Sequence, residues 1–205
     1  MTTPPSEPAF APFPATGMPD GDWWQALWPD PLGVMRRLGF AAGQRVVDLC
    51  CGDGLFSLAL LRLGCFVEGL DGDRELLGKA EQAALAAGYP QARWHLGDAR
   101  ELDRLIHPPV DSILIANTFH GVSDYESLCR SVRRLLSPQG RLVIVNWHAR
   151  PREETTVLGL PRGPRSDMRL TPEQTAERVC PSGFQQGDIV ELLPYHYGEM
   201  FLLRK

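Results

Sequence analysis

The stretch VVDLCCGDGLFSLALL (residues 46–61) decides how the rest of the chain is interpreted. Hydrophobic residues lead into Asp48, a turn containing Gly52 and Gly54 follows, and an apolar run begins at Leu55. Glycines let a backbone approach a ligand closely and turn its N–H groups toward it. The pattern predicts a strand, a turn that we call the glycine turn (residues 50–54), and a helix.

The overall composition is that of an ordinary globular chain. The 205 residues are 43 % hydrophobic and 22 % charged, with a net charge of −4 at pH 7. This length suits one well-buried domain, and the charge argues against a nucleic-acid partner. No apolar run is long enough to cross a bilayer, and residues 1–14 lack the basic and apolar regions of a secretory signal. The sequence therefore predicts a soluble, cytoplasmic protein with no membrane partner.

Proline and cysteine usage add two further expectations. Six prolines fall within the first nineteen residues, too many for a helix or strand. Residues 1–21 are therefore predicted to form a mobile arm, and residues 22–205 a single domain. The five cysteines are odd in number and irregularly spaced, which is typical of reduced thiols. A soft-metal site at the adjacent pair Cys50–Cys51 is an alternative, but packing is the commoner role of such thiols, so no metal is predicted.

From residue 45 onward, strand patterns and helix patterns alternate. Strands are predicted at residues 45–50, 65–70, 92–96, 111–117 and 140–147. Helices are predicted at residues 55–63, 74–87 and 124–136, with a weaker turn at 99–108. Strands such as SILIAN and RLVIVNW are apolar on both faces, which is typical of a parallel sheet covered by helices on both sides. The alternation predicts an open, doubly wound sheet.

The ends of several helices are predicted from capping residues. Asp22 is expected to cap a short helix rich in tryptophan, and Asp30 to cap the next helix, with proline at its first position. Ser-x-x-Glu at residues 123–126 and Thr-x-x-Gln at residues 171–174 match the capping box.

The C-terminal part interrupts the alternation. FQQGDIVELL (residues 184–193) and YGEMFLLRK (residues 197–205) are separated by only three residues, which is too short for a helical crossover. These two strands are therefore expected to be antiparallel neighbours. The predicted fold class is α/β, with a doubly wound, mostly parallel seven-stranded sheet that ends in a C-terminal antiparallel β-hairpin.

Polar residues stand where four successive predicted strands end. Asp48 lies near the end of the first strand, and Asp71, Asp98 and Asn117 follow the next three. Ligands of doubly wound sheets bind beyond the carboxyl ends of the strands. A glycine-rich turn alone is a weak signal, but four polar strand ends beside it predict a binding site.

The motifs VVDLCCGDG (residues 46–54), GLDGD (69–73) and GDA (97–99), together with the closing hairpin, resemble the class I S-adenosylmethionine-dependent methyltransferases. The resemblance covers roughly residues 30–205. It implies a Rossmann-like fold, S-adenosylmethionine as the cofactor, and methyl transfer as the reaction.

The resemblance also implies a role for each motif residue. Asp48 and the backbone of the glycine turn would hold the methionine part of the cofactor. Asp71 would bind the ribose, and Asp98 would line the adenine. Asn117 would lie near the sulfonium. The implied cofactor-binding residues are Asp48, Cys50, Gly52, Asp53, Gly54, Asp71, Gly72, Asp98, Ala99 and Asn117.

The glycine turn departs from the family pattern at Cys50, where glycine is usual. Cysteine is small and tolerates burial, but it disfavours any contact that requires a positive φ at that residue. A nicotinamide dinucleotide is the alternative ligand, because Gly52-x-Gly54-x-x-Ser57 nearly matches the dinucleotide fingerprint. Asp48, the serine in third position and the reversed terminal strand favour S-adenosylmethionine.

Methyl transfer depends on alignment, and a base helps where the acceptor must lose a proton. His120, in NTFHG after the fourth strand, is the first candidate for this base. His148, in VNWHAR after the fifth strand, is the second. Either could instead be a hydrogen-bonded loop histidine. His196, in the hairpin turn, is a candidate for the substrate wall.

Residues 148–170 form a long link between the fifth strand and the last helix. We call this link the arginine segment, because it contains five arginines against three acidic residues. A link of this length at the carboxyl edge of the sheet is a candidate lid over a substrate. Arg162 and Arg165 are candidates for gripping an anionic substrate, such as a carboxylate. A solvated loop with surface ion pairs is the alternative.

Tryptophans of the first predicted helix leave two interpretations open. Trp23, Trp24 and Trp28 can pack that helix onto the sheet, the commoner role. Alternatively they can cover the cofactor, with a ring against the sulfonium charge. Trp24 is accordingly a candidate substrate-side residue.

The predicted function is methyl transfer from S-adenosylmethionine to a small-molecule acceptor, with an anion as one candidate, by a monomer or homodimer. A module that binds S-adenosylmethionine or S-adenosylhomocysteine without catalysis is an alternative. The sequence also leaves open an NAD(P)-dependent oxidoreductase and a protein methyltransferase. The acceptor atom lies outside the interpretable motifs.

Overall fold

The structure, a computed structural model, describes residues 13–14 and 16–204. Most of the predicted arm, residues 1–12 and 15, lies outside the described residues. None of the helices in the described part of the chain combines the length and the apolarity needed to cross a bilayer.

Within the described residues, the strands that form the main sheet match the predicted order of elements. They are β1 (Arg45–Leu49), β2 (Phe66–Asp71), β3 (Arg93–Leu96), β4 (Val110–Ala116), β5 (Leu136–Trp147), β8 (Phe184–Leu192) and β9 (His196–Leu203). A two-stranded sheet in the arginine segment is formed by β6 (Thr156–Val157) and β7 (Leu160–Pro161). β5 begins at Leu136, four residues before the predicted start, because Leu136 pairs with Val110 ahead of an irregularity in the ladder.

The sheet has the order β3-β2-β1-β4-β5-β9-β8. β1 to β5 are mutually parallel, and β9 runs antiparallel to both β5 and β8. The predicted α/β fold and the closing antiparallel hairpin are confirmed. β9 inserts between β5 and β8, so the last strand in sequence is an inner strand of the sheet.

Helices cover both faces of this sheet. They are α1 (Gly21–Leu27), α2 (Pro31–Arg37), α3 (Leu55–Arg62), α4 (Arg74–Ala86), α5 (Leu102–Leu105), α6 (Tyr125–Leu135) and α7 (Pro172–Val179). One buried cluster joins the sheet to α5, α6 and α7, and the other joins it to α1, α2, α3 and α4. Ile113 and Ile115 of β4 face the first cluster, while Leu114 faces the second. This alternation explains why the central strands are apolar on both faces.

Capping was predicted correctly at two helices and wrongly at two. The Asp30 carboxylate accepts the Gly33 N–H at the start of α2, and Thr171 forms the capping box of α7. The N-cap of α1 is Asp20, not Asp22. The N-cap of α6 is Asp124, whose carboxylate accepts the Ser127 N–H, so the predicted box at residues 123–126 does not form. Asp20 and Asp22 can both cap α1, and Ser123 and Asp124 can both cap α6, so the local pattern left the register undecided.

Candidate functional site

A cavity of about 860 Å³ opens at the carboxyl ends of the parallel strands. Its volume is in the range of small-molecule and cofactor sites. It brings together twelve of the residues that the sequence singled out. They are Asp48, Cys50, Gly52, Asp53, Asp71, Gly72, Asp98, Ala99, Asn117, His120, Trp24 and Arg162.

The glycine turn folds over the end of β2. The N–H groups of Cys50 and Cys51 donate to the Leu70 carbonyl at 2.7 and 3.1 Å. Cys50 has a φ of +61°, so the positive φ that its side chain disfavours is present. Burial raises the pKa of the Cys50 and Cys51 thiols, and the described residues contain no cluster of three metal-ligating side chains.

The two glycines of the turn have different surroundings. Gly52 has a φ of +55° and lines the cavity, and a Cβ there would lie 2.9 Å from the Met18 sulfur. Gly54, at the N-cap of α3, has a φ of +84° and does not line the cavity. A Cβ at Gly54 would lie 2.7 Å from the Ala80 Cβ of α4. Gly54 therefore serves the packing of α3 against α4.

Asp48 is a buried carboxyl at the base of the cavity. It is 2 % exposed, and the Ser57 hydroxyl donates to it at 2.6 Å. Burial raises the pKa of Asp48 to about 7 against the lowering effect of that hydrogen bond, and the charges of Asp71 and Asp53 add to the rise. The group therefore carries a proton part of the time near neutral pH.

Asp71, at the end of β2, is held by backbone donors. Its carboxylate accepts the Gly52 N–H at 2.8 Å and the Asp73 N–H at 2.9 Å. Burial nevertheless raises the pKa of Asp71 above its ordinary value. The Gly52 bond fixes the carboxylate beside the glycine turn, where it lines the cavity.

Asp98, after β3, caps a short 3₁₀ helix (Ala99–Glu101). Its carboxylate accepts the Arg100 N–H at 2.9 Å and pairs with the Arg100 guanidinium. Burial pushes the pKa of Asp98 upward, but the Arg100 hydrogen bonds outweigh it and hold that pKa below its ordinary value. Sequence analysis missed Arg100, although its position two residues after Asp98 was a signal.

Asn117, after β4, has the strained backbone expected of a site residue. Its φ is +59°, and its N–H donates to the Val145 carbonyl. Its side-chain nitrogen and oxygen are buried and have no hydrogen-bond partner among the described residues. Buried amides are normally hydrogen-bonded, so an amide at the cavity wall is suited to a ligand with both donors and acceptors.

The two candidate bases lie in different places. His120 belongs to a 3₁₀ helix (Phe119–Gly121), is 8 % exposed and lines the cavity. His148 is not among the residues that line the cavity, and its Nε2 lies 2.9 Å from the Glu191 Oε2. The structure brings His120, and not His148, to the cofactor-binding candidates.

Two of the four substrate-side candidates, His196 and Arg165, do not line the cavity. His196 is fully buried, with its ring 4.5 Å from that of Trp28 and 4.2 Å from that of Trp147. Burial holds the pKa of His196 well below its ordinary value. Arg165 is exposed and pairs with Asp167 at 2.6 Å. Arg165 therefore forms a surface ion pair, as the alternative interpretation of the arginine segment expected.

The opposite end of the cavity is formed by α1 and the arginine segment. Trp23 and Trp24 line it, together with Trp147 at the end of β5. Arg152 and Arg162 line it as well. Sequence analysis missed Trp147, since nothing local distinguishes a strand-end tryptophan facing a ligand from one facing the core, and it counted Arg152 only as one of the five arginines of the segment. Trp28, in contrast, packs in the core.

Arg169 holds the arginine segment in place from beneath. It is 4 % exposed and donates to the Pro164 carbonyl, the Arg162 carbonyl and the Thr155 hydroxyl. Its guanidinium lies 5.1 Å from the Trp147 ring centroid. Four residues of the segment line the cavity: Arg152, Arg162, Gly163 and Pro164.

Comparisons with known proteins identify relatives of this chain. A family model described as a methyltransferase domain matches residues 46–140. The chain is 30 % identical over 116 residues to an uncharacterized methyltransferase of Synechocystis sp., covering 56 % of this chain and 52 % of that protein. It is 28 % identical over 176 residues to the ubiquinone biosynthesis O-methyltransferase of Aeromonas salmonicida, covering 82 % and 72 %. The chain thus spans about half the length of the cyanobacterial relative.

Among solved structures, the fold is similar to that of a SAM-dependent methyltransferase from Aquifex aeolicus. The TM-score is 0.75 at 21 % sequence identity, with 90 % of this chain and 94 % of that chain covered. At this identity, the likeness concerns the fold.

Proposed function

Because the chain belongs to the class I S-adenosylmethionine-dependent methyltransferase family, we propose that it transfers a methyl group from S-adenosylmethionine to a small-molecule acceptor. The observation that carries this proposal is the convergence of Asp48, Asp71, Asp98 and Asn117 on one cavity, beside a glycine turn whose Gly52 N–H fixes the Asp71 carboxylate. The name of the Aeromonas relative, a quinone-pathway methyltransferase, supports a small-molecule acceptor.

The residues present fit the cofactor. Asp71 would accept hydrogen bonds from the ribose hydroxyls, since a carboxylate has lone pairs beyond the two used by backbone donors. The unpartnered amide of Asn117 would bind a polar group of the amino-acid part. Asp98 would face the adenine, although Arg100 already engages its carboxylate. Adenine recognition here would therefore rely on Ala99 and neighbouring backbone as well.

The cofactor supplies an electrophilic methyl group, and the chain supplies alignment and proton transfer. The walls of the cavity would hold the acceptor in line with the methyl group, which is the main contribution to such a displacement. His120, which lines the cavity, would accept a proton from the acceptor. Trp23, Trp24 and Trp147 would exclude water from this space.

Calorimetric titration of S-adenosylhomocysteine tests the proposal. We expect binding to the wild-type chain and a loss of affinity of about 10- to 100-fold in Asp71→Asn, because hydrogen bonds to a charged acceptor are lost. Asp188→Asn, which changes an exposed carboxylate on β8, is the matched control and should bind normally.

Two results would contradict the proposal. An absence of heat with S-adenosylhomocysteine, together with clean titration by NADH, would favour the dinucleotide alternative. Binding of S-adenosylhomocysteine without cofactor turnover against a metabolite panel would favour the non-catalytic module.

A further inference from the structure

The two ends of the cavity carry opposite charge. The glycine-turn end is lined by six acidic side chains, against two arginines, Arg74 and Arg100; the acidic residues are Asp48, Asp53, Asp71, Asp73, Glu75 and Asp98. Arg152 and Arg162 line the other end, formed by α1 and the arginine segment. A ligand that fills the second end therefore meets positive charge.

Arg162 is held in position but has no anionic partner among the described residues. Its guanidinium carbon lies 5.0 Å from the Trp23 ring centroid. Its Nε is buried and makes no hydrogen bond within the described part of the chain. Two other arginines of the same segment are engaged, Arg165 by the Asp167 carboxylate and Arg169 by carbonyl and hydroxyl oxygens. Arg162 is thus a pre-positioned guanidinium with donor capacity left at the cavity wall.

Arg152 reinforces the same end. Its Nε donates to the Gly163 carbonyl at 3.0 Å, which fixes the side chain while its terminal nitrogens keep their donors. No ion pair joins Arg152 to an acidic residue of the described ranges 13–14 and 16–204. Two half-buried guanidinium groups at one wall are typical of carboxylate recognition.

Flat aromatic surfaces face the same space. Trp23 and Trp24 pack edge to face, with centroids 6.0 Å apart, and both line the cavity. Trp147 lines the cavity from the end of β5. Gly163 and the Arg169 guanidinium already cover the Trp147 ring, which is 3 % exposed. Trp23 and Trp24 are therefore the rings left for a planar ligand, because rings pack against rings over a large area.

The guanidinium also argues against one interpretation of Trp23, namely that its ring covers the sulfonium. A ring face beside a guanidinium is a poor place for a second cation. Because Arg162 already lies over Trp23, this ring is unsuited to the positive sulfonium of the cofactor. Trp23 therefore belongs to the acceptor side of the cavity.

We infer that the methyl acceptor is a planar aromatic carboxylate, bound with its carboxylate on Arg162 and Arg152 and its ring against Trp23 and Trp24. This inference rests on the proposed function and deepens it. Arg162 is then the residue that determines specificity for a negative charge, and His120 lies in the same cavity as the acceptor.

Calorimetric titrations on the complex with S-adenosylhomocysteine test this inference with three probes. 2-Naphthoate carries both the negative charge and the planar aromatic ring. 2-Naphthamide lacks the charge, and decahydro-2-naphthoate lacks the planar ring. We expect 2-naphthoate to bind at least 10-fold more tightly than either of the others. Arg162→Gln should lower the affinity for 2-naphthoate about 10- to 100-fold and leave the affinity for 2-naphthamide unchanged, because only the charged hydrogen bonds are lost. Arg162→Lys should restore part of the affinity.

Arg165→Gln is the matched control, because it lies in the same segment but pairs with Asp167 away from the cavity. It should bind all three probes like the wild type, and thermal unfolding should show that both variants remain folded. Equal binding of naphthoate and naphthamide, no binding of naphthoate, or equal losses in Arg162→Gln and Arg165→Gln would overturn the inference. Each of these results leaves S-adenosylhomocysteine binding intact, whereas loss of that binding in the wild type overturns the proposed function itself.

Discussion

The glycine turn and the arginine segment build the two ends of one cavity by different means. At the glycine turn, backbone N–H groups and strand-end carboxylates make the contacts, as in the bond from the Gly52 N–H to Asp71. In the arginine segment, side chains make them, and the buried Arg169 ties three oxygens together. The bond from Gly52 to Asp71 joins two strand ends that are 19 residues apart in the chain, whereas the Arg169 side chain reaches oxygens of its own segment, 5 to 14 residues away.

The largest expected effect concerns the buried carboxyl at the glycine-turn end. Folding raises the pKa of Asp48 from 3.8 to about 7. Between about pH 4 and pH 7 the folded protein therefore binds more protons than the unfolded chain, and stability falls as the pH rises. We expect Asp48→Asn to remove this decline and to be more stable than the wild type at pH 8 by about 4 kcal/mol, from about 1.4 kcal/mol per pKa unit.

Urea unfolding at a series of pH values measures this effect. Glu199→Gln is a matched variant, because burial also raises the pKa of Glu199 to about 7 and it lies outside the cavity lining. Both variants should flatten the pH dependence, but only Asp48→Asn should change the affinity for S-adenosylhomocysteine. If the free energy of unfolding of Asp48→Asn depends on pH as that of the wild type does, the raised pKa of Asp48 is refuted.

A smaller effect is expected from the packing of the glycine turn. Gly54→Ala places a Cβ 2.7 Å from Ala80 at a φ of +84°. Strain and overpacking together should cost about 3 kcal/mol in the free energy of unfolding. Gly78→Ala, in α4 with open space around it, is the control and should stabilise by about 1 kcal/mol. Equal stability of the two variants in urea would contradict the packing role of Gly54.

His120 lies in the cavity that the glycine turn and the arginine segment share, so its replacement tests whether the chemistry takes place there. We expect His120→Gln to lower kcat by about 100-fold, because a general base is lost, while the affinity for S-adenosylhomocysteine stays within threefold. His148→Gln, at the second candidate outside the cavity lining, should change kcat less than twofold. Steady-state kinetics with an identified acceptor measures both, and a larger loss in His148→Gln would reverse the assignment.

The smallest effect is expected in the arginine segment. Arg169→Met removes three hydrogen bonds that tie the segment to itself, which should cost about 2 kcal/mol of local stability. Hydrogen exchange of residues 152–168 should quicken, with global unfolding less affected. Arg165→Met removes only an exposed ion pair and should change stability by less than about 0.5 kcal/mol. Unchanged exchange in Arg169→Met would show that other contacts hold the segment.

The strands and helices could be predicted from the sequence because their signals are local. Hydrophobic periodicity located β1 to β5 to within a few residues, and the carboxyl ends of parallel strands then placed Asp48, Asp71 and Asn117 at one edge of the sheet. The capping errors at α1 and α6 had a local cause too, since Asp20 and Asp22 at α1, and Ser123 and Asp124 at α6, are all favourable capping residues.

Other features required the tertiary structure. The hairpin was predictable, but the insertion of β9 between β5 and β8 was not, because strand order depends on pairing across the whole sheet. His196 follows a turn like a surface residue, yet lies buried between Trp28 and Trp147. The positive φ of Cys50 contradicted the preference of its side chain.

The amino-acid sequence by itself determined the succession of strands and helices along the chain, the glycine turn and the polar groups at the strand ends, because each has a signal among neighbouring residues. Only the tertiary structure decided that Arg162 faces the cavity while Arg165 faces solvent, three residues apart in one irregular segment. The physical reason is that a segment without helix or strand periodicity takes its side-chain directions from distant packing partners, here Trp23 for Arg162.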